Sequence, residues 1–186
     1  MTNMTKKILF AGFGGQGVLM MGYVLALSAM REGREVTYLP SYGAEVRGGT
    51  ANCTVIVSDE EIFSPVVSSP DCAVIMNKPS YIKYEGMIKE GGIIILNSSL
   101  IDTDASRNDV EVIRVPSNEI ANELGSDRTI NMIMLGAFVT KTGITSLNSL
   151  MEGLTEIVKG KKASVMKLNR EGLDRGAAHV LEGGRK

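Results

Sequence analysis

Six residues near the start of the chain form a glycine-rich loop whose spacing suits a phosphate. They are Gly12, Phe13, Gly14, Gly15, Gln16 and Gly17, which match the pattern GxGxxG. An apolar run precedes them and a helical apolar pattern follows, and the start of a helix offers free N–H groups and a partial positive charge. The loop therefore predicts an anion site. The alternative is that these glycines only let a strand and a helix pack closely.

A second stretch, residues 41–52, combines glycines, hydroxyls and charges. We expect it to face the first loop, because ligands in open α/β sheets bind outside the carboxyl ends of the strands. Arg47 can hold a phosphate or a carboxylate with two hydrogen bonds. The alternative is an ion pair with Glu45 that only fixes the loop. The candidate residues here are Ser41, Tyr42, Gly43, Glu45, Arg47, Gly48, Gly49 and Asn52.

Small polar residues follow two further predicted strands. Asn77 and Ser98 stand at these carboxyl ends, so both are candidates for the same rim. Taken singly, each is more typical of a helix cap or a turn. Thr129 and Asn131, near a predicted helix start, are first interpreted as caps as well.

The sequence offers few side chains that are suited to catalysis. The single histidine, His179, lies among apolar residues of the last predicted helix, which favours a packing role. No Ser-His-Asp set, zinc spacing or P-loop lysine is present, so no catalytic or metal-ligating residue is assigned. Cys53 and Cys72 lie in apolar runs and are predicted to be buried structural thiols. Two cysteines cannot hold an iron–sulfur cluster, which usually needs about four thiolates.

The first glycine loop does not bring a complete NAD site with it. A dinucleotide-binding domain places an acid at the end of the second strand to hold the ribose hydroxyls. That strand ends at Leu39 before Pro40, and the nearest acid, Glu35, stands at its start. The sequence therefore argues against NAD.

Bulk composition limits the class of protein. A chain of 186 residues that is 44% hydrophobic fits a single domain over residues 1–186, with a disordered tail at 182–186. The 20 basic and 21 acidic residues are interspersed, which gives no footprint for nucleic acid or an anionic membrane. No apolar run has the length of a signal peptide or a membrane span, so a cytoplasmic protein is expected.

Periodicity places these candidates on an α/β fold. Strands are predicted at residues 7–11, 35–39, 51–58, 72–76, 93–96 and 110–115. A short strand at 62–63 is predicted to pair with 51–58 as a β-hairpin, and Pro40 is predicted to end the second strand. Helices are predicted at 16–31, from Pro79 towards Gly91, and at 118–124, 129–140, 147–158 and 163–181. The expected fold is a three-layer α/β/α Rossmann-like domain with a mixed, mainly parallel sheet and C-terminal helices.

Three segments resemble one known family, the gamma subunits of 2-oxoacid:ferredoxin oxidoreductases. They are residues 8–18 (ILFAGFGGQGV), 40–53 (PSYGAEVRGGTANC) and 92–99 (GIIILNSS). The segments follow the order of the family, and the similarity extends over about residues 5–180. The paired glycine motifs are far more specific than a lone GxGxxG.

The resemblance implies a function for the complex rather than for this chain alone. Enzymes of the family oxidatively decarboxylate a 2-oxoacid, transfer the acyl group to coenzyme A and pass electrons to ferredoxin. The resemblance implies that this chain is a subunit that contacts coenzyme A through the glycine loop, and that the facing loop either touches coenzyme A or seals the interface with the catalytic subunits. Thiamine diphosphate, Mg and iron–sulfur clusters are expected on partner subunits, named alpha, beta and, in some members, a ferredoxin-like delta. The residues of the two motifs are more similar to those of the 2-oxoglutarate and branched-chain members than to those of the pyruvate members, and 2-oxoglutarate is favoured.

Two other interpretations stay open at this point. A freestanding Rossmann-type nucleotide-binding oxidoreductase would keep the glycine loop but would need its own chemistry. A purely structural adaptor would bury the glycine loops in a subunit interface and hold no ligand. Binding of free coenzyme A to the isolated chain would distinguish the adaptor from a coenzyme A-binding subunit.

Overall fold

The computed structural model describes residues 4–42, 50–103, 106–158 and 163–183. Six strands form one sheet: β1 (Thr5–Phe13), β2 (Glu35–Tyr42), β3 (Thr50–Ser58), β4 (Cys72–Ile75), β5 (Ile93–Asn97) and β6 (Glu111–Val115). Six α-helices accompany it: α1 (Val18–Arg31), α2 (Lys78–Tyr84), α3 (Ser117–Glu123), α4 (Ile130–Thr142), α5 (Leu147–Ile157) and α6 (Ala163–Leu181). Short 3-10 helices at Glu85–Met87 and Asp127–Thr129 extend α2 and precede α4.

The sheet is mixed and mainly parallel, as predicted. Its strand order is β2-β3-β1-β4-β5-β6. β1, β4, β5 and β6 pair in parallel, whereas β3 is antiparallel to both β1 and β2. β1 and β2 therefore run in the same direction and end at the same edge, which we call the carboxyl edge.

Helices cover both faces of the sheet, which confirms the predicted three-layer α/β/α class. The larger apolar cluster joins α1, α3, α4, α5 and α6 to one face of the sheet. The smaller cluster joins the opposite face to α2 and to Ile88 and Ile101. The central strands are buried on both faces because helices cover them from both sides, as is usual for parallel strands.

The predicted hairpin is wrong in its second strand. Residues 51–58 lie within β3, but Ile62 and Phe63 are not in a strand. β3 already pairs with β1 on one side and β2 on the other, so it has no free edge for a returning strand. The hairpin of this fold is β2 with β3, which residues 43–49 connect.

Pro40 does not end the second strand, which is another correction. β2 continues to Tyr42, and Pro40 lies opposite Cys53 of β3. β2 is an edge strand of the sheet, where the missing N–H of a proline costs no ladder hydrogen bond if it faces outward. The rule that a proline ends a strand fails here, because the sequence does not show whether a strand lies at the edge or in the centre of the sheet.

The termini of the fold add two findings. Helix α6 spans the predicted residues 163–181, and Glu182 and Gly183 form a turn after it. Residues 184–186 of the predicted disordered tail lie outside the described residues. No helix of the described part of the chain combines the length and the apolar character that a membrane span requires.

Candidate functional site

The glycine loop lies at the carboxyl edge, between the end of β1 and the start of α1. Gly14 and Gly15 are exposed, so their backbone is open to a ligand. Gly17 is the N-cap of α1, with a φ of 75° that L side chains rarely adopt. No side chain caps this helix start, and its first turn has no acidic residue. Its free N–H groups can therefore receive an anion, as the loop spacing predicts.

Gln16 holds the loop in place rather than facing the solvent. Its Oε1 accepts hydrogen bonds from the backbone N of Phe13 at 2.7 Å and from Nδ2 of Asn77 at 3.0 Å. Its Nε2 lies 3.5 Å from the carbonyl oxygen of Met76 at the end of β4. A Cβ on Gly12 would approach this Oε1 to 2.7 Å, so the side chain of Gln16 fills the space that Gly12 leaves.

Asn77 has the capping role that its residue type predicts, and a second role that the sequence does not indicate. Its Oδ1 accepts a hydrogen bond of 2.9 Å from the backbone N of Ser80 and thereby caps α2. Its Nδ2 donates to Gln16 at the same time. Asn77 is buried, so it supports the loop from below rather than lining a ligand site.

Ser41 and Asn52 lie beside the glycine loop but on another face. They are partners across β2 and β3, and Asn52 is also opposite Ala11 of β1. Side chains alternate along a strand, and the neighbouring Ala51 and Cys53 lie on the α1 face. Ser41 and Asn52 therefore project from the opposite face of the sheet. The structure brings them to the carboxyl edge but not into the space in front of α1.

The remaining candidates of the second loop cannot be compared in the same way. The backbone of Tyr42 ends β2 opposite Ala51. Gly43, Glu45, Arg47, Gly48 and Gly49 lie outside the described residues. The strand residues on either side of this segment, Tyr42 and Thr50, lie at the carboxyl edge next to Gly12. The contacts of Arg47 stay a prediction.

Two adjoining clefts open in front of the glycine loop. The larger has a volume of about 590 Å³, within the range of small-molecule sites. Its lining consists of Gly15, Gln16, Gly17, Met20, Leu100, Asn118, Asp127, Arg128, Ile130 and Asn131. The smaller, about 330 Å³, is mostly apolar and is lined by Phe13, Gly14, Gly15, Gly17, Val18, Leu19, Met20 and Ala51. Ser98 lines neither cleft; its backbone N donates to Val115 across β5 and β6.

Arg128 is the cation that the sequence analysis missed. It is exposed, and its guanidinium has no hydrogen bond or ion pair among the described residues. It lies in the 3-10 helix just before α4. Positive charge is unfavourable at the start of a helix, so this position is a signal that the sequence already contains. Asp127 lines the same cleft, and its carboxylate repels an anion. The attraction of an anion therefore comes from Arg128 and the start of α1.

Asn131 faces the loop from the start of α4. A Cβ on Gly17 would overlap Nδ2 of Asn131, so these two residues are in direct contact only because position 17 is glycine. Thr129 donates its hydroxyl hydrogen to the carbonyl oxygen of Ser126 at 2.7 Å and is buried, as expected for a local turn bond. Asn131 rather than Thr129 is therefore the polar group of this helix that lines the cleft.

The described residues offer no nucleophile or metal centre to these clefts. Cys53 and Cys72 are buried, as predicted, and burial raises the pKa of Cys53 to about 12 and that of Cys72 to about 11. His179 Nε2 lies 2.8 Å from the carbonyl oxygen of Arg114 and links α6 to β6. No cluster of three or more metal-ligating side chains occurs in the described part of the chain. The arrangement is suited to binding an anionic ligand.

Comparison with known proteins gives a family and several relatives. The family model described as "Pyruvate ferredoxin/flavodoxin oxidoreductase" matches residues 7–179. Ketoisovalerate oxidoreductase subunit VorA of Methanothermobacter marburgensis is 40% identical over 173 residues, which are 92% of this chain and 36% of that protein. This chain thus spans about a third of the length of that relative.

Two solved structures share the fold at somewhat lower identity. The gamma subunit of a keto/oxoacid ferredoxin oxidoreductase from Geobacter sulfurreducens superposes with a TM-score of 0.81 at 26% identity, covering 96% of this chain and 99% of that one. The 2-oxoglutarate:ferredoxin oxidoreductase of Magnetococcus marinus superposes with a TM-score of 0.89 at 28% identity, covering 96% of this chain and 31% of that one. The Magnetococcus structure has 2-oxoglutarate, coenzyme A and succinyl-CoA bound.

Proposed function

This chain belongs to the pyruvate ferredoxin/flavodoxin oxidoreductase family, and we propose that it is a gamma subunit that helps to bind coenzyme A in a 2-oxoacid:ferredoxin oxidoreductase. The match over residues 7–179 confirms the family predicted from the two glycine motifs. The enzyme would convert a 2-oxoacid and coenzyme A to an acyl-CoA and carbon dioxide, and pass two electrons to ferredoxin.

The cleft in front of α1 is the observation that carries the proposal. Coenzyme A is rich in phosphate, and the uncapped start of α1 and the guanidinium of Arg128 both favour phosphate. Met20, Leu100 and Ile130 add an apolar lining for the uncharged part of such a ligand. The volume of about 590 Å³ suits part of a molecule of this size, with the rest reaching the smaller cleft or a partner subunit.

Each group in the cleft has a distinct part in this proposal. The free backbone N–H groups at the start of α1, after Gly17, would hold a phosphate, and Arg128 would neutralise its charge. Asn131 would donate a hydrogen bond from the side of α4. Gln16 and Asn77 would keep the loop in shape, through the hydrogen bonds already described. Arg47 and the neighbouring second loop are proposed to close the site from β2, as its motif predicts.

The chemistry on the 2-oxoacid is assigned to other polypeptides of the complex. The described residues offer no metal cluster, and thiamine diphosphate, Mg and iron–sulfur clusters are proposed to sit on alpha, beta and, where present, delta subunits. Ferredoxin is proposed as the electron acceptor of the complex. This chain would present coenzyme A to that centre.

We propose 2-oxoglutarate as the substrate, on the wording of the glycine motifs. The Magnetococcus structure is named for 2-oxoglutarate, but the relative at 40% identity is named for ketoisovalerate. Branched-chain 2-oxoacids are therefore the second candidate. The substrate pocket is proposed to lie outside this chain, so an assay on the complex is needed to choose between them.

Purification of the complex tests this function. The tagged chain is isolated from its native cells without oxygen and assayed for coenzyme A-dependent dye reduction with 2-oxoglutarate, 2-oxoisovalerate and pyruvate. We expect thiamine-containing and iron–sulfur subunits to co-purify with activity, highest for 2-oxoglutarate. A lone, inactive chain that binds no coenzyme A would contradict the proposal.

A further inference from the structure

The segment between β3 and β4, residues 59–71, is an ordered loop without a helix or a strand. We call it the β3–β4 loop. The backbone N of Asp59 donates to the carbonyl oxygen of Met4 at 2.9 Å, and the backbone N of Asp71 donates to that of Lys7 at 2.8 Å. The backbone N of Lys7 in turn donates to Oδ2 of Asp71 at 2.9 Å. One end of the loop is therefore attached to Met4, directly before β1, and the other to Lys7 within β1.

The middle of this loop displays apolar side chains to the solvent. Phe63 is 91% exposed and Val66 is 67% exposed, although Pro70 near the end of the loop is buried. The carbonyl oxygen of Pro70 accepts a hydrogen bond of 2.9 Å from Lys89, which holds this end against the domain. Aromatic residues that are exposed in this way are typical of protein interfaces.

The loop lies at the edge of the sheet opposite the clefts. β3 is antiparallel to β1, and its last residue, Ser58, pairs with Thr5 at the start of β1. The glycine loop follows the other end of β1, after Phe13. A partner bound at Phe63 would therefore leave the cleft at Arg128 accessible, so the two surfaces can be tested separately.

The lengths of the relatives indicate which polypeptide is available to cover this surface. The Geobacter gamma subunit is matched over 99% of its length, whereas the VorA and Magnetococcus chains are matched over only 36% and 31%. In the longer relatives this domain is thus covalently joined to about twice its own length of other polypeptide. A stable interface buries roughly 800 Å² of surface on each partner, which is more than two side chains can supply. Phe63 and Val66 would therefore be part of a larger contact.

We propose that Phe63 and Val66 dock this domain onto the polypeptide that corresponds to the remaining two thirds of the longer relatives. The inference rests on the proposed function, because it assumes that such a polypeptide is present in the same complex. We expect the docking pocket on this partner polypeptide to be apolar, with basic residues at its rim that complement the exposed Glu61 beside Phe63. The β3–β4 loop is then an anchor, and the cleft on the opposite edge is left for coenzyme A.

The experiment compares three forms of the tagged chain, each purified from the native cells without oxygen. They are the wild type, the double variant Phe63→Ser with Val66→Ser, and the control Ile82→Ser. Ile82 is an equally apolar residue on α2 that is 69% exposed. Mass spectrometry gives the ratio of co-purified polypeptide related to the rest of VorA to the tagged chain. Melting temperatures and coenzyme A binding are measured on each isolated chain.

The double variant is expected to lower that ratio by about tenfold or more, as for the loss of an interface hot spot, while Ile82→Ser leaves it unchanged. Melting temperatures and coenzyme A affinities should be the same in all three forms. Equal recovery of the partner, an equal loss in Ile82→Ser, or a wild type without any partner would each overturn the proposal. So would a wild-type dimer of this chain that the double variant converts to a monomer.

The two proposals fail in different ways in this experiment. A complex that forms through Phe63 but shows no coenzyme A-dependent activity with any 2-oxoacid contradicts the proposed function and supports the docking. A chain that binds coenzyme A but keeps its partner in the double variant contradicts the docking alone.

Discussion

Gln16 illustrates how much one side chain can decide at the residue scale. By residue type it is one of several polar groups in a glycine motif, and the motif itself does not say which of them meets a ligand. The structure shows three hydrogen-bonding contacts that tie Gln16 to its own loop, to Met76 and to Asn77. The side chain therefore shapes the loop, which leaves the free backbone N–H groups at the start of α1 as the candidate ligand-binding part.

The role of Arg128 gives the first prediction at this scale. Arg128→Ala in the complex should raise the KM for coenzyme A by about tenfold or more, since a charge-assisted contact to phosphate contributes a few kcal/mol. The kcat should change little, because the residue is proposed to bind and not to react. Steady-state kinetics at varied coenzyme A measures both constants.

Arg31→Ala is the matched control for this variant. Arg31 is also on the surface, at the far end of α1, where it pairs with Glu152 and Glu156. Exposed pairs of this kind contribute little, so its KM should equal that of the wild type. If Arg128→Ala also leaves the KM unchanged, Arg128 does not contact coenzyme A.

The two buried thiols predict a loss of stability at high pH. Burial raises the pKa of Cys53 from 9.0 to about 12 and that of Cys72 from 9.0 to about 11. The folded pKa values lie above the unfolded value, so the stabilisation is fully present below pH 9 and is lost as the pH rises towards 11. Each thiol should lower the free energy of unfolding by about 1.4 kcal/mol per pH unit in this window.

Urea unfolding at pH 7, 9 and 10.5 measures this loss. The double variant Cys53→Ala with Cys72→Ala is the comparison, and its free energy of unfolding should fall less steeply above pH 9. Parallel curves for the two proteins would show that other groups cause the loss.

At the element scale, the crossing of α4 and α6 determines how the C-terminal helices cover the sheet. A Cβ on Gly136 would overlap the carbonyl oxygen of Leu173, and one on Gly176 would overlap that of Ile133. The two backbones are in direct contact at this crossing. The sequence predicts both helices but not this crossing, because a glycine inside a helix only weakens the helical pattern.

Gly176→Ala should therefore destabilise the protein. Overpacking of a close contact typically costs about 1–3 kcal/mol, and backbone on the opposite side cannot move aside as a side chain can. The melting temperature of a domain of this size falls by about 2–4 °C per kcal/mol, which calorimetry or circular dichroism detects. Gly86→Ala is the control, since a Cβ there meets nothing within 4 Å. An equal melting temperature for both variants would contradict the close crossing.

The strand order is the other feature decided at the element scale. β3 lies between β1 and β2, so the end of β2 at Tyr42 and the start of β3 at Thr50 lie at the edge where the first glycine loop lies. The predicted convergence of the two loops stays a prediction, and the predicted hairpin partner was wrong. The ends of the second loop are thus positioned by strand pairing, which the sequence of the loop itself does not determine.

At the scale of the whole molecule, the fold places the proposed ligand site and the proposed docking loop at opposite edges of the sheet. The glycine loop and Arg128 lie at the carboxyl edge, and the β3–β4 loop lies at the amino end of β1. A subunit arranged in this way can be held by a partner at one edge and deliver a ligand at the other. The Rossmann-type alternative lacks such a division and requires a complete nucleotide site.

Ligand selectivity tests that alternative on the whole chain. Coenzyme A at about 100 times its Kd should stabilise the fold by about 2.7 kcal/mol, a rise of several degrees in melting temperature. NADH should cause no saturable shift, because the described end of β2, residues 39–42, carries no acid to hold its ribose hydroxyls. Thermal melting of the isolated chain with increasing ligand measures both. A saturable shift with NADH would favour a nucleotide-binding oxidoreductase, and no shift with either ligand would favour a structural adaptor.

The sequence by itself determined the local elements and the family. Apolar periodicity is a local property, so it located β1, α1, β4, β5 and the C-terminal helices within a few residues. The glycine motif predicted a candidate anion site at the start of α1 because its glycines sit directly between a strand and a helix. The buried thiols could also be predicted, since each lies in an apolar strand.

Only the tertiary structure decided which of the candidate residues share one space. The insertion of β3 between β1 and β2 turns Ser41 and Asn52 to the face away from α1, although their sequence positions lie beside the motif. The packing of α4 brings Arg128 and Asn131 to Gly17 from more than a hundred residues away. Strand order and helix crossings depend on contacts between distant segments, and no local pattern contains that information.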